Sequence, residues 1–186
     1  NTIFTSSGKK HFYVAPVKQV VTDESGIPFV TMAQTDINTD SVAVNSGKSF
    51  YTFEKNVVSN DYLKSVKTSA TNYIDAATGN ITNASVKYFD AGETVPVKTD
   101  SVYKTYTSIA SWHVPSRVRI EKTIQTQRGK DSYTRQVNNV YKTNGVLAKT
   151  TQDTTTSKAV KSEFSYFNAF GSPTRITVSA SGITTR

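Results

Sequence analysis

The sequence predicts an all-β fold, an antiparallel sheet built from consecutive β-hairpins. Three observations carry that expectation. A short phrase recurs: an aromatic, apolar or β-branched residue, a polar one, a gap of two or three residues, and Gly. It reads Thr22-Asp23-Glu24-Ser25-Gly26, Ile74-Asp75-Ala76-Ala77-Thr78-Gly79, Tyr141-Lys142-Thr143-Asn144-Gly145 and Phe167-Asn168-Ala169-Phe170-Gly171. Each copy lies between Thr- and Val-rich stretches that alternate in polarity, the pattern of strands joined by tight turns. Leu is scarce and no apolar stripe recurs at helical spacing.

Taken in order, residues 12–21 alternate around Pro16 and read as one strand, turned by Asp23-Glu24-Ser25-Gly26 and answered by residues 29–35. Residues 36–47 are rich in Asp, Asn, Ser and Gly and read as a loop. Residues 49–58 alternate again, Asn60-Asp61 breaks that strand, and residues 63–74 form the next. Gly79-Asn80 turns the chain into residues 81–89, and Asp90-Ala91-Gly92 turns it once more. Residues 102–109 are aromatic and strand-like. In residues 117–127, Val118, Ile120, Lys122, Ile124 and Thr126 share one face, and Arg128-Gly129-Lys130-Asp131 is a tight turn. Residues 132–141, 146–152, 161–167 and 174–180 continue the meander. The turn glycines are therefore Gly26, Gly79, Gly129, Gly145 and Gly171. Residues 1–100 form a β-rich N-terminal segment with weak repeats and residues 101–186 a segment of clearer hairpins, together one continuous structural unit.

Hydrophobic residues make up 36% of the 186 residues and mean hydropathy is −0.42. That balance suits sheets with one wet face rather than a thick core. With no cysteine, disulfides and Cys-based zinc sites are excluded. No apolar run is long enough to span a membrane as a helix. The net charge of +8 comes from scattered Lys and Arg, which alternate with apolar residues and occupy the wet face, where they also oppose edge-to-edge aggregation; a nucleic-acid partner is disfavoured.

From Trp112 onward the chain resembles the RHS/YD-repeat family of large bacterial proteins. The stretch from Ser111-Trp112-His113 through Pro115 to Val118 looks like the family's lead into Thr-rich strands. Asn139-Val140-Tyr141-Lys142-Thr143-Asn144-Gly145-Val146-Leu147 is similar to its Tyr-Asp-x-x-Gly repeat, and Ser165-Tyr166-Phe167-Asn168-Ala169-Phe170-Gly171-Ser172-Pro173-Thr174 is closer still. Ser181-Gly182-Ile183-Thr184-Thr185-Arg186 fits the usual exit from a repeat. No copy is complete. The aromatic survives as Tyr only at Tyr141, Lys142 and Asn168 replace the Asp, and Gly is kept throughout. The resemblance implies a fragment of a larger secreted or cell-surface polypeptide. Its sheet would form part of a shell around a toxin or of an adhesive scaffold, paired with neighbouring repeats. It carries over no catalytic residue and no cofactor.

His11 and His113 lie in no catalytic or metal-binding motif, so no catalytic and no metal-binding residue is assigned. Asp36, Asn38 and Asp40 offer oxygen at alternate positions, yet lack the Gly and distal Glu of a calcium loop. Asn80-Ile81-Thr82 and Asn83-Ala84-Ser85 match the glycosylation sequon, which has little weight given the bacterial origin that the resemblance implies. Tyr103, Tyr106 and Trp112, with Arg117 and Arg119, form the candidate ligand surface of an alternative reading, a carbohydrate- or surface-binding β-module that takes cell-surface glycan. Cross-strand pairing within the sheet explains the same aromatics without a ligand.

Overall fold

The computed structural model describes residues 2–6, 9–13, 16–23, 30–44, 49–109, 114–154, 157–180 and 183–185. Every regular element among them is a β-strand. β1 (Thr2–Ser6) and β2 (Lys9–Tyr13) form a separate antiparallel pair. They are followed by β3 (Lys18–Asp23), β4 (Val30–Val44), β5 (Ser49–Asp61), β6 (Val66–Ile74), β7 (Ile81–Phe89), β8 (Lys98–Ile109) and β9 (Val114–Gln127). β10 (Tyr133–Tyr141), β11 (Leu147–Gln152), β12 (Val160–Phe167), β13 (Pro173–Ala180) and β14 (Ile183–Thr185) complete the chain. From β3 to β14, hydrogen-bonded neighbours follow chain order, so the all-β meander of consecutive antiparallel hairpins is the fold. Among the described residues no helix is long and apolar enough to cross a membrane.

Contacts divide the chain into two compact units, Asn1–Ser101 with Gln125–Ser132, and Val102–Ile124 with Tyr133–Arg186. β8 and β9 are each shared between them.

In the first unit, the register across β4 to β7 aligns Ile37, Val57, Ala70 and Val86 in one row. Because side chains alternate between faces, the neighbouring row on the opposite face is Asp36, Val58, Ser69 and Lys87. The next row on that polar face runs Asn38, Asn56, Thr71, Ser85, and the Thr71 hydroxyl donates to Asn56 Oδ1 at 3.1 Å. One extra residue on β5, Lys55, bulges between the pairs Asn38–Asn56 and Thr39–Glu54. Its ammonium reaches Asp40 at 2.7 Å.

The second unit repeats this two-faced plan. Val137, Gln152, Val160 and Ala180 form a row on one face of β10 to β13, with the pairs Ser162–Val178 and Phe164–Ile176 on the same face. Asn138, Thr151, Lys161 and Ser179 form a row on the other. Lys161 and Glu163, two positions apart on that polar face, pair at 2.6 Å.

Neither unit has a second layer over its sheet among the described residues. Strand pairs in extensive contact are neighbours in chain order. Phe89, 8% exposed, is the one buried hydrophobic side chain among the described residues. Phe89 pairs with Lys67 on the face of Ser69 and Lys87. On the opposite face the row of Ile37, Val57, Ala70 and Val86 is half-buried, while Ile176 in the second unit is exposed, whereas a sheet with one apolar face ordinarily packs it against another layer.

Several sequence expectations are corrected. The stretch 12–21 is not one strand: β2 ends at Tyr13 and β3 starts at Lys18, with Pro16 between them, because Pro lacks the N–H a ladder needs. The expected loop 36–47 is strand as far as Val44; pairing with β5 satisfies its backbone. Residues 62–65 form a turn, so β6 begins at Val66 rather than at Leu63. The turn is anchored by Asp61, whose Oδ1 accepts the Lys64 N–H at 3.0 Å. β13 is not the last strand, since β14 pairs with Val178, Ser179 and Ala180. The expected turn at Gly26 lies outside the described residues.

Candidate functional site

The recurring phrase builds one kind of tip. At Lys142, the backbone N–H donates to the Val146 carbonyl at 2.9 Å, and the Gly145 N–H returns to the Lys142 carbonyl at 2.9 Å. Asn168 repeats this with Ser172 at 2.9 Å and Gly171 at 3.0 Å. Each is a three-residue hairpin loop whose last residue is left-handed. Gly145 and Gly171 both have φ +79°, where a Cβ is strained. The copy at Asp75 is one residue longer: its N–H donates to Asn80 at 2.9 Å, and Gly79, φ +74°, closes onto its carbonyl at 2.8 Å. Gly129, φ +72°, sits in a different, tighter turn closed from Lys130 N–H to the Gln127 carbonyl at 3.0 Å.

The polar slot differs among the tips. Asp75 accepts the Ala77 N–H at 3.0 Å and the Thr78 hydroxyl at 2.8 Å. These bonds, the backbone one foremost, hold its carboxyl below the usual carboxylate range. Asn168 Oδ1 accepts the N–H groups of Phe170 at 3.0 Å and Ser172 at 2.9 Å. Lys142 cannot accept. Its ammonium lies 3.9 Å from the centroid of the Phe167 ring, so it couples this tip to the aromatic slot of the next copy.

Four of the five residues of the expected ligand surface, Tyr103, Tyr106, Arg117 and Arg119, lie among the described residues, on β8 and β9. Tyr103 and Tyr106 are three apart on β8, which puts them on opposite faces of a regular strand; Tyr103 is exposed and Tyr106 half-buried. Arg117 and Arg119 share a face of β9 and are exposed. Trp112 and His113 lie outside the described residues, and His11 pairs through its backbone with Phe4.

Arg119 instead lines an open cleft of about 460 Å³ in the second unit. Thr107 and Ser108 come from β8, Asn139 and Tyr141 from β10, and Lys142 from the tip. Tyr141 donates its hydroxyl to the Val118 carbonyl at 2.9 Å, and the Asn139 amide donates to the same oxygen at 3.0 Å. Burial pushes the Tyr141 phenol up, against the opposing pull of the Arg117 charge and the Asn139 hydrogen bond. Sequence reasoning assigned Tyr141 and Lys142 to a turn and gave Asn139 no role. Their approach to Arg119 depends on how β9 and β10 pair, which no local pattern spells out.

A second cleft, about 470 Å³, lies in the first unit between the turns that follow β5 and β7. Two of its carboxylates are already engaged. Asp61 holds Lys64, and Glu93 pairs with Arg128 at 2.9 Å. The trio Asp36, Asn38 and Asp40 lies along one face of β4, not in a loop. Four strand residues span roughly 13 Å, too far for Asp36 and Asp40 to share one cation at coordination distance. Asp36 accepts from Gln34 at 2.8 Å, and Asp40 is held by Lys55 and by the Ser41 N–H at 2.8 Å. Those bonds lower the Asp40 pKa, the Lys55 hydrogen bond most of all.

No family model matches the chain, and no curated protein matches it.

Proposed function

We propose that this chain is a non-enzymatic structural segment of a large bacterial RHS/YD-repeat protein, exported from the cell, whose sheet forms part of a shell wall or surface scaffold. The observation that carries the reading is the two-faced single layer. The row Ile37–Val57–Ala70–Val86 backs onto the more polar row Asp36–Val58–Ser69–Lys87, with no second layer over them among the described residues. A wall has this construction: one face wet, the other turned to whatever the parent polypeptide places behind it. The hairpin tips add support, because the same short phrase ends three of the described hairpins, at Gly79, Gly145 and Gly171, as in repeat proteins whose units contact only their neighbours.

The chain has no cysteine, so single thiols report each face separately. Ser69 and Ala70 are adjacent on β6 and point to opposite faces. In the polypeptide as its source organism makes it, Ser69→Cys reacts quickly with a maleimide and Ala70→Cys slowly. In the isolated chain the difference shrinks. Equal, rapid labelling of both in the native polypeptide would overturn the wall reading.

A further inference from the structure

We propose that the cleft formed by β8, β9 and the tip of β10 binds an acidic saccharide, with Arg119 as the residue that holds its carboxylate. At about 460 Å³ the cleft falls in the range of small-molecule sites, roughly 300–1,000 Å³. Its lining contains two cations, Arg119 and Lys142, and no Asp or Glu. The rest of the lining is mostly polar or aromatic, Thr107, Ser108, Asn139, Tyr141 and Thr143 with Val140, which suits a hydroxyl-rich ligand.

Three contacts fix how these groups present themselves. Tyr141 spends its hydroxyl proton on the Val118 carbonyl, which holds the ring in place as a wall against which a sugar can stack. The Lys142 ammonium is held over the Phe167 ring, so it supplies positive potential at the rim from a set position. On β9, Glu121 is engaged by Lys104 at 3.3 Å; Arg119, two positions away, is exposed, and no ion pair among the described residues includes it. A guanidinium so placed offers a planar fork of N–H donors that matches a carboxylate with two parallel hydrogen bonds. A neutral sugar leaves that charge unanswered. A nucleic-acid strand calls for a track of cations along its backbone, whereas neutral donors and acceptors outnumber cations in this lining.

The test uses the 186-residue chain in calorimetric titration with tetragalacturonate, neutral galactotetraose and a short oligothymidylate. Saturable binding of tetragalacturonate alone is expected. Arg119→Ala should lower its affinity about tenfold or more, the loss of a charged bidentate contact. Arg119→Lys should not restore it, because an ammonium lacks the fork. Arg175→Ala, on β13, should leave affinity unchanged. Circular dichroism and melting confirm that each variant folds. Four outcomes overturn the proposal: no saturation at millimolar ligand, equal binding of the neutral sugar, tighter binding of the oligonucleotide, or an equal loss in Arg175→Ala, which marks general attraction to a basic chain. None of these residues enters the labelling test of the wall, so either reading can fail alone.

Discussion

The tips at Lys142 and Asn168 end neighbouring hairpins of one unit with the same loop length and the same left-handed glycine, yet their polar residues do opposite things. Asn168 turns inward and accepts two N–H groups of its own loop. Lys142 turns outward to the Phe167 ring, and its loop is instead supported by Asn144 Oδ1, which accepts the Val146 N–H at 3.2 Å. The glycine sets the path of the chain, while the polar slot either locks the turn or ties it to the next hairpin. A Cβ added at Gly171 would stand 3.6 Å from Val146 Cγ2, an ordinary contact. The demand for Gly there comes from φ rather than from lack of space.

That comparison can be broken at the glycine first. Gly145 is buried and left-handed, so Gly145→Val should cost about 1–3 kcal/mol through backbone strain. The cost would appear as a lower urea midpoint with unchanged slope. An unchanged midpoint would mean that the tip tolerates a β-branched residue and that φ does not define the motif.

Removing the inward cap comes next. Asn168→Ala deletes the acceptor of two N–H groups and should cost about 1 kcal/mol. Asn168→Asp keeps the acceptor and should retain most of the stability. If Ala and Asp behave alike at neutral pH, the side chain is not a cap.

The outward contact is weaker. A double-mutant cycle of Lys142→Met and Phe167→Leu should give a coupling of about 0.5–1 kcal/mol, the range of an exposed cation over an aromatic ring. Lys142→Asp should be close to neutral, because it exchanges that coupling for an inward cap. Strong destabilisation by Lys142→Asp would show that the tie between hairpins outweighs turn chemistry.

The smallest effect separates Asp75 from Asn168, since both cap but only one titrates. The folded Asp75 carboxyl is held below its ordinary value of 3.8 by the Ala77 N–H and the Thr78 hydroxyl. A depressed folded pKa adds stability that is fully present above the unfolded value and is lost as pH falls through the folded one. The Asp75 tip should therefore weaken only in that acidic window, as followed by NMR titration of the carboxyl. Asp75→Asn should abolish that dependence, and an ordinary Asp75 titration would show that the cap does not form in solution.

The turns were legible in the sequence because their cause is local. A left-handed position selects Gly at Gly79, Gly145 and Gly171, and the alternation of apolar and polar residues marks a strand wherever one face is drier than the other. The stretch 36–44 resisted the same reading for a physical reason. Asp36, Asn38, Asp40 and Ser41 are residues that favour turns by bonding their own backbone. Their backbone is satisfied instead by β5, and side-chain partners such as Lys55 are supplied by a bulge no sequence pattern announces. Arg119 was likewise visible as an exposed cation, but not its neighbours.

By itself, then, the sequence determined the all-β character and the reversals marked by a left-handed glycine, at Gly79, Gly129, Gly145 and Gly171, because backbone dihedrals and side-chain alternation are properties of neighbouring residues. Tertiary structure alone decided which strand positions share a row. Slipping a strand by one residue moves every side chain to the other face, so the rows depend on the whole ladder. The row of Ile37, Val57, Ala70 and Val86 and the meeting of Arg119 with Asn139, Tyr141 and Lys142 both come from residues far apart in the chain. Hydrogen bonding between strands, not any local preference, brings them together.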